Sequence, residues 1–297
     1  MKIFDCFMYF DEDLLLDLRL NYLDKFVDKF IIIESSYNHK GETKRPRFKK
    51  EKYKQYENKI EYLLVKEQPQ GIEEINVKDN EHQINSKYIL NAIKRENFQR
   101  NYIKNCLSQA NKNDWIIISD LDEIPNLKNV DFKNINNRFI FFRQDMMYYK
   151  FNLKLENYIW VGSKACQLKN LKSPQWLRNI KDRSYPWWRL DVILSNNKYS
   201  NINFIENGGW HFSYLKTPEE IEKKLKSYLH HREYELNPIG AEKIKNLIKQ
   251  RKTVYNLTTD QRMNQFDRGS ILNKINIDLL PNYILENKEK LKKWIEI

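Results

Sequence analysis

The sequence predicts an α/β fold in which a mostly parallel sheet is flanked by helices. In the first 120 residues, short apolar runs of strand length alternate with helical patterns, which is typical of a parallel sheet with helices on both faces. From about residue 138 the pattern becomes β-rich and aromatic, and helical patterns return after residue 217. No internal repeat or low-complexity linker interrupts the chain, so we expect one continuous domain with a helical C-terminal extension.

The first half of the chain begins with a strand and a helix. Residues 3–10 are an apolar run of strand length, and the acids at 11–13 suit a helix start, where the backbone dipole favours negative charge. Apolar residues then recur at the spacing of one helix face: Leu16, Leu20, Leu23 and Val27. Further apolar runs at residues 30–33 and 60–65 predict the second and third strands.

A long helix over residues 87–112 leads into a fourth apolar strand at residues 115–118. In open parallel sheets, ligands bind at the carboxyl ends of the strands. Two of the predicted strands end in acids, since Glu34 follows the second strand while Asp120 and Asp122 follow the fourth. We therefore expect a ligand site at this edge of the sheet.

The second half is predicted to be β-rich before it becomes helical. Apolar and aromatic runs predict strands at residues 138–149, 158–168, 190–194 and 210–215. Helical patterns follow at residues 217–235, 239–252 and 286–296. We expect residues 1–235 to form the main domain and residues 236–297 to form the helical extension.

The composition excludes several classes of protein. Hydrophobic residues make up 41% of the 297 residues, which is enough for a sizeable core and excludes disorder as the dominant state. Three scattered cysteines lack the density and the even count of a disulfide scaffold. We see neither the roughly 20 apolar residues that span a bilayer nor a signal-peptide pattern. We therefore expect a cytoplasmic protein with no transmembrane segment.

The chain is strongly basic. Its 52 Lys and Arg residues against 40 Asp and Glu give a formal net charge of +12, and the densest basic run spans residues 40–54. Acids are interleaved nearly everywhere, and neither zinc-finger spacing nor an RNA-binding aromatic signature is present. We therefore expect attraction to an anionic small substrate rather than to nucleic acid.

The sharpest motif is the Asp-x-Asp of Asp120 and Asp122, which follows four apolar residues. In an extended chain the two carboxylates project to the same side. Together they form a hard oxygen site suited to Mg²⁺ or Mn²⁺ that also holds phosphate oxygens. The alternative is that these acids only solvate a loop or cap the next helix, but the preceding buried strand favours a site.

Charged residues also interrupt the apolar stripe of the long helix. Glu96 and Arg100 lie four residues apart on that stripe and are therefore neighbours on one face. Charges on a buried stripe are costly unless they are paired or face a cleft. The pair is either a buried ion pair without function or an arginine, oriented by Glu96, that binds donor phosphate or sugar.

Two further segments could contribute to a site. His211 follows the adjacent pair Gly208 and Gly209, which marks backbone that turns sharply or is closely approached. This histidine is either structural or a third metal ligand or phosphate contact. The polar loop at residues 34–44 follows the second strand, and within it Glu34 could contact a nucleoside and Lys44 a phosphate. A solvated loop is the alternative.

Several blocks of the sequence, in order, resemble glycosyltransferase family 17. The most specific are Ser-Asp-Leu-Asp-Glu-Ile-Pro at residues 119–125 and Gly-Trp-His-Phe-Ser-Tyr at residues 209–214. The other blocks are residues 5–7, 9–10, 19–20, 33–34 with 39–41, and 96 with 99–101.

The resemblance implies a GT-A-like, Rossmann-like fold, with a nucleotide-binding half at residues 1–125 and an acceptor half at residues 126–235. It also implies an inverting, metal-dependent transfer of a sugar, expected to be GlcNAc, from a UDP-sugar donor to a glycan or other hydroxyl acceptor. The expected donor-binding residues are Glu34, His39, Lys44, Glu96, Arg100 and Asp120, of which Lys44 lies outside the similar blocks and is expected from its position in the polar loop.

On this hypothesis Asp122 and His211 hold a Mn²⁺ or Mg²⁺ ion that bridges the donor diphosphate and neutralises charge on the leaving group. Asp120 contacts the ribose or the metal. An inverting reaction also needs a base that deprotonates the acceptor hydroxyl. The carboxylates expected on the acceptor side are Glu206, Asp191 and Asp182, of which Glu206 is preferred because it immediately precedes the Gly-Gly turn.

Two alternatives remain open from the residues alone. A haloacid-dehalogenase-like phosphatase also has an Asp-x-Asp after a buried strand, and Asp120 would be its nucleophile. Its motif normally lies near the N-terminus and continues with Thr or Val, whereas this chain has Glu123 and Ile124. The second alternative is a non-catalytic protein that binds sugar or nucleic acid.

Overall fold

Two β-sheets form the framework of the protein in a computed structural model that describes residues 1–227, 231–255 and 269–297. The strands are β1 (Ile3–Tyr9), β2 (Lys29–Ser35), β3 (Ile60–Val65), β4 (Trp115–Asp120), β5 (Glu123–Pro125), β6 (Phe139–Phe142), β7 (Gln144–Tyr148), β8 (Leu153–Trp160), β9 (Lys164–Gln167), β10 (Ile202–Ile205), β11 (Gly209–Ser213) and β12 (Leu272–Lys274). The α-helices are α1 (Asp13–Leu23), α2 (Glu81–Asn101), α3 (Pro174–Asn179), α4 (Leu190–Ile193), α5 (Pro218–Ser227), α6 (His231–Leu236), α7 (Gly240–Lys249), α8 (Asn282–Glu286) and α9 (Lys288–Leu291).

The larger sheet has seven strands in the order β10-β6-β9-β4-β1-β2-β3. Strands β4, β1, β2 and β3 are mutually parallel, β10 is parallel to β6, and β9 runs antiparallel to both its neighbours. The register aligns the carboxyl ends of the central strands, because Met8 lies opposite Asp120 and Tyr9 lies opposite Glu34. The predicted α/β class with a mostly parallel sheet is thus confirmed.

The smaller sheet contains the residues that directly follow the Asp-x-Asp motif, Glu123–Pro125. Its five strands have the order β12-β8-β7-β11-β5, with β11 parallel to β7 and antiparallel to β5. Strand β5 follows β4 after a turn of two residues, so the chain passes from one sheet to the other at the motif. The motif therefore lies at the junction of the two sheets.

The strands of the larger sheet contribute to two apolar clusters, one on each face. Phe7, Ile32 and Ile117 belong to the cluster that contains the leucines of α1. Alternate residues, such as Cys6 and Ile31, belong to the other cluster, which contains the end of the long helical segment. This alternation is the period of two expected of strands, and it confirms helices on both faces. All three cysteines are free and buried.

Several predicted boundaries differ from the structure. The helix expected at 87–112 begins at Glu81, where Asn80 and Gln83 form a reciprocal capping box, and it changes after Asn101 to a 3₁₀ helix, Tyr102–Cys106. The strand predicted at 190–194 is wrong. This segment contains the helix α4, since its apolar residues recur at i, i+3 and i+4.

The helices predicted for the C-terminal part are present, and this part also contains the strand β12. The helix expected at 217–235 corresponds to α5 and α6, and residues 228–230 between them lie outside the described residues. The helix at 286–296 is broken into α8, α9 and a 3₁₀ turn. Strands β5, β10 and β12 are not predicted from the sequence; β5 pairs with β11, and β12 pairs with β8 in the smaller sheet. Among the described residues, no helix is both long and apolar enough to cross a membrane.

The C-terminal segment packs into the core of the protein. Leu280 and Ile284 are buried in the same apolar cluster as Leu16 and Leu20 of α1. We predict that Ile284→Ala lowers the free energy of unfolding by about 2–5 kcal/mol in a single transition, because it leaves a cavity in a shared core. Leu279→Ala is the matched control, since Leu279 is 64% exposed. Chemical denaturation that shows a separate early transition, or equal effects of both variants, would contradict a shared core.

Candidate functional site

A buried ion pair holds the turn that carries the Asp-x-Asp motif. Arg19 of α1 is fully buried and donates from Nε and Nη2 to the two carboxylate oxygens of Asp5, at 2.8 and 2.6 Å. Its Nη1 donates to the carbonyl oxygens of Asp120 (3.0 Å), Leu121 (3.3 Å) and Glu123 (2.6 Å). One guanidinium group therefore satisfies three backbone acceptors of the turn and fixes its course.

Asp120 lies between two arginines at the carboxyl end of β4. Its Oδ1 accepts a hydrogen bond from Nη2 of Arg100 and its Oδ2 from Nη2 of Arg178, both at 2.8 Å. Desolvation alone would raise the pKa of Asp120, but the positive charges of Arg178 and Arg100 outweigh it and hold this pKa well below its usual range. Glu96 pairs with Arg100 at 2.8 Å, as predicted from the helix spacing.

Glu123 is the fully buried centre of the same network. Its carboxylate accepts hydrogen bonds from the backbone N–H of Asp120 (2.8 Å), from Nε1 of Trp160 (2.6 Å) and from Nη1 of Arg178 (2.7 Å). The backbone next to Trp160 comes so close that a Cβ at Gly162 would lie 2.0 Å from Oε1 of Glu123. Any other residue at this position would displace the side chains of Glu123 and Trp160 from the network.

Asp122 has its ionic partners on β11 and α5 and forms no ion pair with the arginines among the described residues. Its Oδ1 lies 3.5 Å from Nε2 of His211, and its Oδ2 lies 3.7 Å from Nζ of Lys224 in α5. Burial would raise the pKa of Asp122, but His211 and Lys224 outweigh it and lower this pKa. Burial alone would lower the pKa of His211, but the negative charge of Asp122 outweighs burial and raises this pKa. The His211 ring packs on Trp160, with the ring centroids 4.9 Å apart.

The two glycines before this histidine strand are required by close backbone contacts, as the sequence predicted. Gly209 has a φ of +123°, and a Cβ there would lie 2.1 Å from the carbonyl oxygen of Ile124. A Cβ at Gly208 would lie 2.6 Å from the carbonyl oxygen of Ile205. Strand β11 can therefore lie directly against β5, which brings His211 to Asp122.

Several of these side chains line a cleft of about 360 Å³ at the carboxyl edge of the larger sheet, whereas His211, Glu123 and Arg178 are not among its lining residues. Five of the residues predicted from the sequence line it, namely His39, Glu96, Arg100, Asp120 and Asp122. Burial lowers the pKa of His39. Glu12, Trp160 and Lys224 also line the cleft, and Nζ of Lys224 lies 3.4 Å from Glu12 as well as near Asp122.

Glu34 and Lys44 do not line this cleft. The buried carboxylate of Glu34 accepts hydrogen bonds from Nζ of Lys44 (2.6 Å), from the backbone N–H groups of Arg47 (2.8 Å) and Phe48 (3.1 Å), and from the hydroxyl of Tyr62 (3.1 Å). Glu34 thus anchors the loop that follows β2. Donor contacts by Glu34 and Lys44 stay predictions.

The three carboxylates predicted as the base also lie outside the lining of the cleft. Glu206 is 65% exposed and pairs with Arg143 at 2.7 Å. Asp191 is held by Arg189 (2.9 Å) and Lys198 (2.7 Å). Asp182 lines a separate cavity of about 440 Å³. The assignment of the base therefore stays a prediction.

Sequence reasoning missed the roles of Arg19, Arg178 and Lys224. A signal for Arg19 was present, because it lies three residues after Leu16 and four before Leu23 on the apolar face of α1. The same signal, a charge on a buried stripe, did identify Arg100. No spacing in the sequence connects Arg178 or Lys224 with the motif, since both reach it through tertiary packing.

Asp122 and His211 are the pair best placed to hold a metal ion. Both carboxylate oxygens of Asp120 already accept hydrogen bonds from arginines, and the described residues contain no cluster of three or more His, Cys, Asp or Glu suited to a metal. Oδ1 of Asp122 lies 3.5 Å from Nε2 of His211, so one ion in contact with the carboxylate would also be within reach of the imidazole. This donor set fits an ion whose remaining positions are filled by substrate phosphates and water.

Comparison with known protein families gives the class of protein, which is a transferase for sugars. The model of glycosyltransferase family 17 matches residues 1–295, almost the entire chain. The chain therefore belongs to glycosyltransferase family 17, as its sequence blocks indicated, and it is an enzyme that uses a sugar donor and an acceptor. None of the curated proteins matches the sequence significantly. Membership of this family excludes both alternatives that the residues alone leave open, the haloacid-dehalogenase-like phosphatase and the non-catalytic binding protein.

The role of Arg19 in holding the turn can be tested by removing its charge. We predict that Arg19→Met lowers the free energy of unfolding by about 3–5 kcal/mol, because it leaves Asp5 buried without a partner. Lys25→Met is the control, since Lys25 is exposed on the same segment. The double variant Asp5→Leu with Arg19→Met is expected to recover only the part of the stability that the unpaired Asp5 costs, and no activity, because the turn carbonyls remain unpaired. Recovery of full activity would contradict this role.

Proposed function

We propose that the protein transfers a sugar, GlcNAc by family resemblance, from a UDP-sugar to a hydroxyl group of a glycan acceptor. The proposal includes inversion at the anomeric carbon and a GT-A-like fold. The observation that carries it is the convergence of Asp120, Asp122, Arg100 and Lys224 on one cleft at the carboxyl edge of the parallel strands. Such an edge is where nucleotide ligands bind in open α/β sheets.

Asp120 is suited to orient the ribose of the donor. Each oxygen of a carboxylate has two lone-pair sites, and each oxygen of Asp120 uses one of them for an arginine. The remaining sites can accept hydrogen bonds from the ribose hydroxyls. About a third of the side chain is exposed, so a ligand can reach it. Arg100 and Arg178 hold the carboxylate ionised and in a fixed orientation.

Lys224 is the cation of the cleft that would contact the diphosphate of the donor, whereas Arg100 is paired with Glu96 and Asp120 and acts through Asp120. The Lys224 ammonium lies between Glu12 and Asp122, and its position next to the Asp-x-Asp turn would place it near a bound diphosphate. Fixed charges aimed at the place where charge develops stabilise the departing UDP without reorganisation. A Mn²⁺ or Mg²⁺ ion held by Asp122 and His211 would supply Lewis-acid stabilisation of the same leaving group.

The proposal is tested by measuring UDP release from a panel of nucleotide sugars, with and without Mn²⁺. We expect release from UDP-GlcNAc that rises with Mn²⁺ and rises further when a glycan acceptor is added. Release from a sugar linked to another nucleotide, in preference to all UDP-sugars, would contradict the donor assignment. Equal release with and without Mn²⁺, after treatment with a chelator, would contradict metal dependence.

We predict that Asp122→Ala reduces UDP release at least about 100-fold, because it removes the carboxylate that would hold the metal. The melting temperature should stay within a few degrees of the wild type, since the carboxylate of Asp122 lies 3.5 Å from His211 and 3.7 Å from Lys224, which is long for an ion pair. Asp278→Ala is the control for loss of one exposed carboxylate. Activity of Asp122→Ala equal to that of this control would contradict the metal role.

The predicted base can be identified by comparing Glu206→Gln, Asp191→Asn and Asp182→Asn. We predict that Glu206→Gln lowers kcat for transfer by about 10²–10⁴-fold while the Kd for UDP is unchanged, since a base acts on the acceptor hydroxyl. The other two substitutions serve as matched controls. If all three variants keep wild-type kcat, the base is a different carboxylate.

A further inference from the structure

A second cavity of about 650 Å³ adjoins the cleft and is strongly basic. Phe10 and Ser227 line both spaces. The lysines and arginines that line the cavity are Lys40, Lys44, Arg45 and Arg47 from the basic run and Lys223 and Lys226 from α5. The basic run that the sequence places at residues 40–54 is therefore folded against a helix that contributes to the cleft, and this part of it faces one cavity.

Half of these cations are already neutralised. Lys40 pairs with Glu235 at 2.9 Å, Lys44 pairs with Glu34 at 2.6 Å, and Lys226 pairs with Glu222 at 2.7 Å. The remaining three, Arg45, Arg47 and Lys223, are exposed and form no ion pair with a described residue.

The two acids that line the cavity have partners of their own. Asp11 pairs with Lys216 at 2.6 Å, and Glu42 accepts a hydrogen bond from Asn38 and lies 3.6 Å from Lys40. Lys40 is shared between Glu42 and Glu235, and the charge of Arg47 acts on Asp13 outside the cavity. Among the described residues, the lining still contains six cations against two acids, and three of these cations form no ion pair.

The loop at residues 38–44, which forms part of the basic lining of the cavity, is held in place by hydrogen bonds within the protein. Besides the anchor at Glu34, Oδ1 of Asn38 accepts hydrogen bonds from the backbone N–H groups of Gly41 and Glu42, both at 2.9 Å. Gly41 has a φ of +103°, which favours glycine at this tight turn. Arg95 of α2 donates to the loop carbonyls of residues 39 and 40, both at 3.2 Å. Because the backbone of this loop is already ordered, only side-chain freedom is lost there when an anion binds.

Phe10 separates this cavity from the cleft, and Nζ of Lys44 lies 5.0 Å from its ring centroid. We propose that the cavity binds a phosphate or carboxylate group of the acceptor, while the diphosphate of the donor occupies the cleft. Arginines such as Arg45 and Arg47 bind both groups through paired hydrogen bonds. This inference rests on the proposed function, because it assigns the cleft to the donor. The acceptor would then be an anionic glycan, with its reactive hydroxyl directed past Phe10 towards the sugar of the donor.

The experiment measures binding of inorganic pyrophosphate by calorimetry in the presence of saturating UDP. We compare the wild type with the cavity variant Arg45→Ala, Arg47→Ala and Lys223→Ala. The matched control is Lys49→Ala, Lys54→Ala and Lys288→Ala, which removes three exposed positive charges that do not line the cavity. All six side chains are exposed, so we expect equal melting temperatures for the three proteins.

We expect the wild type and the control to bind pyrophosphate beside UDP, and the cavity variant to bind it at least about tenfold more weakly. The Kd for UDP should be the same in all three proteins. A weaker Kd for UDP in the cavity variant would overturn the inference, since the cavity would then take the diphosphate of the donor. Equal losses in the control and the cavity variant would also overturn it, because only net charge would matter.

Two further outcomes separate this inference from the proposed function. Failure of the wild type to bind UDP contradicts the proposed donor. Binding of UDP without any binding of pyrophosphate at a second site overturns only the anionic acceptor. As a positive result for the acceptor, glucuronate or glucose 6-phosphate should compete with pyrophosphate in the wild type, whereas neutral glucose should not.

Discussion

The buried ion pair between Arg19 and Asp5 determines the shape of the turn on which the site depends. At this turn the chain leaves the larger sheet at Asp120 and enters the smaller sheet at Glu123, so its carbonyl groups lose the regular partners of a strand. Buried carbonyl groups without donors are costly, and one guanidinium group satisfies three of them. Asp120 and Asp122 line the same cleft on this turn, but they have different ionic partners, which are Arg100 and Arg178 for Asp120 and His211 and Lys224 for Asp122.

Charges of alternating sign then connect the turn with the helices around it. Glu96, Arg100, Asp120, Arg178 and Glu123 form a continuous chain of ion pairs, each 2.7 or 2.8 Å long. Burying so many charges contributes little net stability, because desolvation offsets much of the attraction. We attribute their presence to geometry, since a fully satisfied network holds each side chain in one orientation. Asp120 is thereby positioned for a ligand by two helices that are distant in sequence.

Local patterns in the sequence predicted the parts of the site that depend on one element, and they failed where tertiary packing decides. Apolar runs located the strands of the parallel sheet, and the spacing of Glu96 and Arg100 predicted their contact. The spacing of residues 190–194 was misread as a strand, although it fits a helix. Arg178 reaches Asp120 from a short helix 58 residues away, and no local pattern encodes such a contact. The base candidates were chosen by position in the sequence, which does not determine distance from the cleft.

The central claim is that the cleft beside Asp120 and Asp122 binds the UDP part of the donor. A crystal structure of the protein soaked with UDP and Mn²⁺ tests it most directly. We predict phosphate oxygens within hydrogen-bonding distance, about 2.7–3.2 Å, of the Lys224 ammonium, and an ion between the phosphates, Asp122 and His211. UDP bound in the basic cavity beyond Phe10, with the cleft beside Asp122 free of nucleotide, would contradict the account.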